Sequence, residues 1–145
     1  WSIETEAAWA ANGRSLFFNS DRRGKPQVFQ VFLDTGEIRR VTYEGNYNAN
    51  PEISPDGRYL SVVHGNNGFH IGLLDLYTNE FSVLTDTFLD ESPTFSPNGE
   101  MILYAMNRNG KGQLAVVAID GKTSQTLKIK DGEVREPAWG PYLSH

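Results

Sequence analysis

The stretch "PEISPDGRYL" (residues 51–60) decides the fold, because the chain writes it more than once. "PTFSPNGEMI" (93–102) follows 42 residues later, and a clipped copy, "PAWGPYL", fills 137–143. An earlier unit ends "WAANG" at Gly13, where the others read "ISPDG" to Gly57 and "FSPNG" to Gly99. The residue four before each glycine is Trp9, Ile53 or Phe95, and Trp139 continues the series, in steps of 44, 42 and 44. The second half of each unit keeps the same register. "QVFQVFLDTGEIRRVT" from Gln27, "HIGLLDLYTNEFSVLT" from His70 and "QLAVVAIDGKTSQTLK" from Gln113 align without gaps at offsets of 43 and 86. Two separate parts of the unit repeat together, so the chain is a tandem array of one supersecondary motif.

Each unit reads as β structure. A short apolar piece leads into Pro-Asp-Gly or its equivalent, where proline presets φ and glycine accepts positive φ. The second strand follows at Leu16–Phe18, Leu60–Val63 and Ile102–Ala105, then a polar turn. The third strand covers Val28–Leu33, Ile71–Leu76 and Leu114–Ile119. Turns at Asp34-Thr35-Gly36, Tyr77-Thr78-Asn79 and Asp120-Gly121 lead to short fourth strands near Val41, Leu84 and Leu127. β-branched and aromatic residues fill these runs, and no window shows a helical period. Four antiparallel strands in 42–44 residues is the size of a propeller blade.

The expected fold is therefore all-β: a β-propeller fragment of three four-stranded antiparallel blades plus a ring-closing strand. The repeats run approximately over 5–48, 49–90 and 91–134 within a partial propeller spanning 1–145, with the closing strand at 135–143. Closed propellers have about four to eight blades. Three blades form an arc with two open apolar ends, which need covering. The chain thus reads as a piece of a larger ring, or as one half of a dimer of half-propellers. Its start at Trp1 fits a processed or trimmed piece.

Composition narrows the function. The chain has 145 residues, 39% hydrophobic and 12% aromatic, enough for a folded core. A net charge of −5 argues against nucleic acid, which recruits basic faces. No apolar run approaches the roughly 20 residues that cross a bilayer, so the chain is not expected to span one. There are no cysteines, which excludes disulfides and thiolate metal sites. Catalytic patterns are missing: there is no G-x-S-x-G elbow, and His64, His70 and His145 have no H-E-x-x-H or facial-triad company. Ser61 and His64 lie three apart in one strand and point to opposite faces. His70 aligns with Gln27 and Gln113, which reads as a structural polar position. The expectation is a non-enzymatic protein.

The segments "SPDGRYL", "TFLDESPTFSPNG" and "EPAWGPYL", with "DRRGKPQVFQV", "VTYEGNYN" and "LDLYTNEFSVLT", resemble the TolB family of the bacterial Tol–Pal system. The resemblance covers about residues 4–143 and rests mostly on "TFLDESPTFSPNG" with the terminal "PAWGPYL". It implies a six-bladed parent propeller behind a smaller α/β domain, which this chain lacks, together with the first blades. It implies a periplasmic protein-interaction module that binds the peptidoglycan-associated lipoprotein, other Tol proteins and some colicins. It also implies roles in envelope integrity, cell division and protein transport. A propeller piece of a prolyl-oligopeptidase-type serine peptidase is the alternative, and a stand-alone half-propeller dimer with an unknown ligand is another.

Three loops join the fourth strand of one unit to the inner strand of the next: 42–52, 86–92 and 131–136. They hold Glu44, Glu52, Asp86, Asp90, Glu91, Asp131, Glu133 and Glu136 against one base, Arg135. Clustered carboxylates at a channel mouth attract cations or a basic peptide. A second reading stays open: loops are polar and this chain is acidic. Tyr43, Phe88 and Leu89 either anchor a partner or pack beneath their own loops. From the resemblance, partner binding falls on Thr42, Tyr43, Glu44, Asn46, Phe88, Leu89, Asp90 and Glu91, with Glu133 and Arg135. Asn46, Asn48 and Asn50 alternate in "NYNAN", which suits calcium oxygens or simple turn tolerance. No cofactor is required, and a calcium ion in the channel is the one metal considered. Trp9, Ile53, Phe95 and Trp139 are expected to pack between blades.

Overall fold

The computed structural model describes residues 3–21, 24–87, 90–108 and 110–127. Among them are twelve strands in three antiparallel meanders. The first sheet is β1 (Ile3–Trp9), β2 (Ser15–Ser20), β3 (Gln27–Phe32) and β4 (Ile38–Arg40). The second is β5 (Tyr47–Ile53), β6 (Tyr59–Gly65), β7 (Phe69–Asp75) and β8 (Phe81–Val83). The third is β9 (Asp90–Phe95), β10 (Met101–Arg108), β11 (Lys111–Ala118) and β12 (Ser124–Leu127). Every strand pairs with its sequence neighbour, so each sheet is one blade with its edges at the first and fourth strands. Expected closing strand 135–143, with Trp139, lies outside the described residues.

The repeated phrase folds as a hairpin held by its own side chains. Ser54 Oγ donates to Asp56 Oδ1 at 2.6 Å and accepts from the Tyr59 amide at 2.9 Å. Asp56 Oδ1 also accepts from the Arg58 amide. Gly57, at φ +76°, closes the turn by donating to the Ser54 carbonyl. Blade three repeats every bond with Ser96, Asn98, Gly99 and Met101. Blade one has Ala10 in place of the serine and keeps only the Asn12 bond to the Arg14 amide and the glycine closure.

Alternation along the strands builds two cores, one per blade interface. Phe17 and Val28 of blade one meet Leu60, Val62 and Leu74 of blade two. From the other side of blade two, Ile71 and Leu73 meet Phe95, Ile102, Tyr104, Met106, Ala115 and Val117 of blade three. Phe95 is buried and Ile53 packs against the first core, as expected. Trp9 is corrected: it is 58% exposed. Ile53 and Phe95 each face the blade before their own, so the same position in blade one faces away from blade two.

The inner strands start earlier than the loop reading assumed. Residues 47–52 belong to β5 and 90–92 to β9. Both strands carry a register shift, between Ala49 and Glu52 in β5 and opposite Leu103 and Ala105 in β9. At these bulges Asn50 and Ser92 take φ of 55° and 54°. Left-handed backbone is a turn signal in sequence, so a bulged strand rich in asparagine reads as a loop.

Candidate interaction face

The meander places the turns between second and third strands on one face, with the loops that join blades. Lys25, Pro26, Gly45, Asn46 and the 65–69 turn border one depression there. The hairpins of the repeated phrase lie on the opposite face.

The loop between β4 and β5 is pinned from below. Thr42 is 1% exposed. Its hydroxyl accepts from the Val28 amide at 2.9 Å and donates to Gln27 Oε1 at 2.6 Å. Asn48, 0% exposed, donates its amide to Gln27 Oε1 and to the Glu44 carbonyl. With both amide hydrogens used, Asn48 Oδ1 accepts from His64 Nδ1 at 2.8 Å. Gln27 Nε2 reaches the Gly45 carbonyl. Gly45, at φ +69°, sits against the His64 ring, where a β-carbon would come within 2.8 Å of Cε1. Burial pushes the His64 imidazole below its ordinary range; His70 adds to the drop and Glu44 opposes it.

Blade two repeats this post with different chemistry. Thr85 accepts from the Ile71 amide and donates to Asp90 Oδ2 at 2.6 Å. The Thr87 hydroxyl lies 2.7 Å from both Asp90 oxygens. Asp90 occupies the position of Asn48, 42 residues on. It is fully buried, and burial raises its carboxyl above the ordinary range. The threonine hydroxyls and His70 oppose that rise, while Asp86 adds to it.

The surface expectation is therefore corrected for Thr42 and Asp90: both are buried and hold the loops from within. Tyr43, Glu44, Asn46 and Glu91 are exposed. Tyr43 is 68% exposed, its hydroxyl donates to the Arg40 carbonyl, and the Arg40 guanidinium lies 4.7 Å from its ring centre. Phe88, Leu89, Glu133 and Arg135 lie outside the described residues. Within "NYNAN", Asn48 Oδ1 is taken by His64. Among the described residues, no three His, Cys, Asp or Glu side chains come together to hold a metal ion. Ser61 is buried on the blade-three side of β6, while His64 packs on the Phe81 ring on the blade-one side, so the two do not meet.

The sequence reading missed Gln27, Asn48 and His64 as one network. Its signal was present: Thr42 and Thr85 stand at the same repeat position, followed by a polar residue at 48 and 90.

Known proteins share this architecture. The TolB beta propeller domain family matches residues 1–143. The Tol-Pal system protein TolB of Hydrogenovibrio crunogenus is 69% identical over 102 residues, 70% of this chain and 24% of that protein. Its namesake from Xanthomonas campestris pv. campestris is 46% identical over 116 residues, 78% of this chain and 26% of its own length. In the crystal structure of TolB from Acinetobacter baumannii, 37% identical, the match covers 93% of this chain and 34% of that one, with a TM-score of 0.86. The chain spans about a quarter of the length of the curated relatives it matches. A three-blade meander of this register, matched along almost its whole sequence, belongs to the TolB β-propeller family.

Proposed function

We propose that this chain is a non-enzymatic interaction module of the bacterial cell envelope, working in the periplasm. Its loop face binds the peptidoglycan-associated lipoprotein and other Tol proteins, and serves colicins as a receptor surface. The observation that carries this reading is the pinned loop between β4 and β5. Buried bonds from Thr42, Gln27, Asn48 and His64 fix its backbone, so Tyr43, Glu44 and Asn46 are presented with a reduced backbone ordering cost on binding. An exposed aromatic flanked by polar groups is the composition of a binding hot spot. The relatives' shared name, Tol-Pal system protein, supports the choice of partner.

Isothermal titration of the full chain with the soluble domain of the lipoprotein tests it. Saturable binding is expected, and its absence from folded protein overturns the reading. Calcium in the channel is a separate proposal; adding calcium chloride to the same titration is expected to tighten binding, and unchanged affinity overturns it.

A second arrangement is favoured by the exposed Trp9: two copies covering each other's open blade faces. Light scattering then gives about twice the 16.2 kDa of one chain, and a monomer mass rules it out.

A further inference from the structure

Two aromatic rings mark the middle of the loop face. Tyr47 opens β5 and Phe69 opens β7, and both pair with Gly65 of β6. A β-carbon on Gly65 would lie 2.7 Å from that of Tyr47. The glycine thus lets the two rings close above it, edge to face, with centres 5.1 Å apart. Phe69 remains 37% exposed.

The ring pair forms a ridge between two depressions. One, of about 510 Å³, is bordered by Lys25, Pro26, Gly45 and Asn46. The other, of about 300 Å³, lies where blades two and three meet, and Asn50, Val63, Asp90, Glu91 and Asn107 border it with the two rings. That volume is at the small end of ligand pockets, the size for one side chain. Its chemistry is lopsided. Glu91 is exposed, the buried Asp90 is part of the lining, and no lysine or arginine is among the described residues that line it. The Thr85 and Thr87 hydroxyls hold the Asp90 oxygens and the residue is fully buried, so Asp90 offers charge rather than an exposed acceptor. Glu91 and the asparagine amides supply the open acceptors. An aromatic wall beside two carboxyl groups favours a cation with an apolar stem.

We propose that this cleft takes an arginine or lysine side chain from a peptide segment that crosses the Tyr47–Phe69 ridge. The inference rests on the reading of this face as a protein-binding surface, and it names the chemistry that the partner brings.

The test uses N-acetyl-arginine amide and its neutral counterpart N-acetyl-norleucine amide, titrated into the full chain and followed by amide chemical shifts. The arginine probe is expected to move the amides of Phe69, Glu91 and Asn107, and the norleucine probe to leave them. Glu91→Gln, an exposed substitution, is expected to weaken the arginine probe about two- to fivefold, as exposed charge pairs do. Equal shifts with both probes, or an unchanged affinity in Glu91→Gln, overturn the proposal. A parallel titration with the lipoprotein domain separates the two claims. If the lipoprotein binds and the arginine probe does not, the cleft assignment fails and the surface reading stands. If the probe binds and the lipoprotein does not, the surface reading fails and the cleft stands.

Discussion

At the scale of single residues, the two blades solve one problem with different side chains. A threonine after the fourth strand caps an amide of the third, then needs an acceptor for its own proton. After blade one that acceptor is the blade's own Gln27, and after blade two it is Asp90, the first residue of blade three. Asp90→Asn copies Asn48, keeps an acceptor and removes a desolvated charge. It is expected to leave the melting temperature unchanged or raised at neutral pH. Asp90→Ala strands the Thr85 and Thr87 hydroxyls and is expected to cost about 1–3 kcal/mol in chemical denaturation. His64 adds a pH dependence. Its pKa is lowered in the fold, so the unfolded chain takes up a proton first. Its contribution is present above the ordinary histidine value, about 6.5, and is lost as pH falls below it. Protection factors of the amides at residues 44–48, taken against the intrinsic exchange rate at each pH, are expected to fall between pH 7 and pH 5, with His70 and Glu44 as the charges that act on the ring. That change is expected to shrink in His64→Gln; an equal response in both proteins would contradict the assignment.

At the scale of the element, the hairpin of the repeated phrase was legible because its chemistry is local. Pro and Gly act on backbone within the turn, so the turn could be placed from the sequence order alone, while the Ser54 and Asp56 bonds that hold it come from the structure. The inner strands were not legible in the same way. Asn50 and Ser92 adopt turn-like φ inside paired strands, and only the partner β6 or β10 reveals them as bulges. Depth was equally hidden: Thr42 and Asp90 look like loop surface until Gln27, Thr85 and Thr87 close over them. Gly57 tests the element directly. Its φ is +76°, and a β-carbon there would come within 2.9 Å of that of Ala11 in the neighbouring hairpin. Gly57→Ala is expected to destabilise the protein by about 1–2 kcal/mol from backbone strain alone, read from its denaturation midpoint. Gly110, where nothing crowds a β-carbon, isolates the contact with Ala11, since its φ of +78° carries the same strain. Gly57→Ala is expected to be the costlier of the two.

At the scale of the molecule, stability comes from the seams between blades. Phe95 anchors the seam between blades two and three at 8% exposure. Phe95→Ala is expected to cost about 3–5 kcal/mol, with hydrogen exchange accelerating in β9–β11 before β2 and β3. The repeat period fixed the number of blades and the order of strands, because each unit writes the same residues at the same offsets. It did not fix which side of a blade is covered, so Trp9 was expected to be packed and stands exposed. The proposed binding belongs to one face at this scale. Tyr43 stands on the loop face, and Tyr77, 71% exposed, stands on the hairpin face at the turn between β7 and β8. Titrating the lipoprotein domain into Tyr43→Ala and Tyr77→Ala proteins compares the two faces with one chemistry removed from each. The account predicts weakened binding for Tyr43→Ala and unchanged binding for Tyr77→Ala. Loss confined to Tyr77→Ala, or equal affinity in both variants, would contradict it.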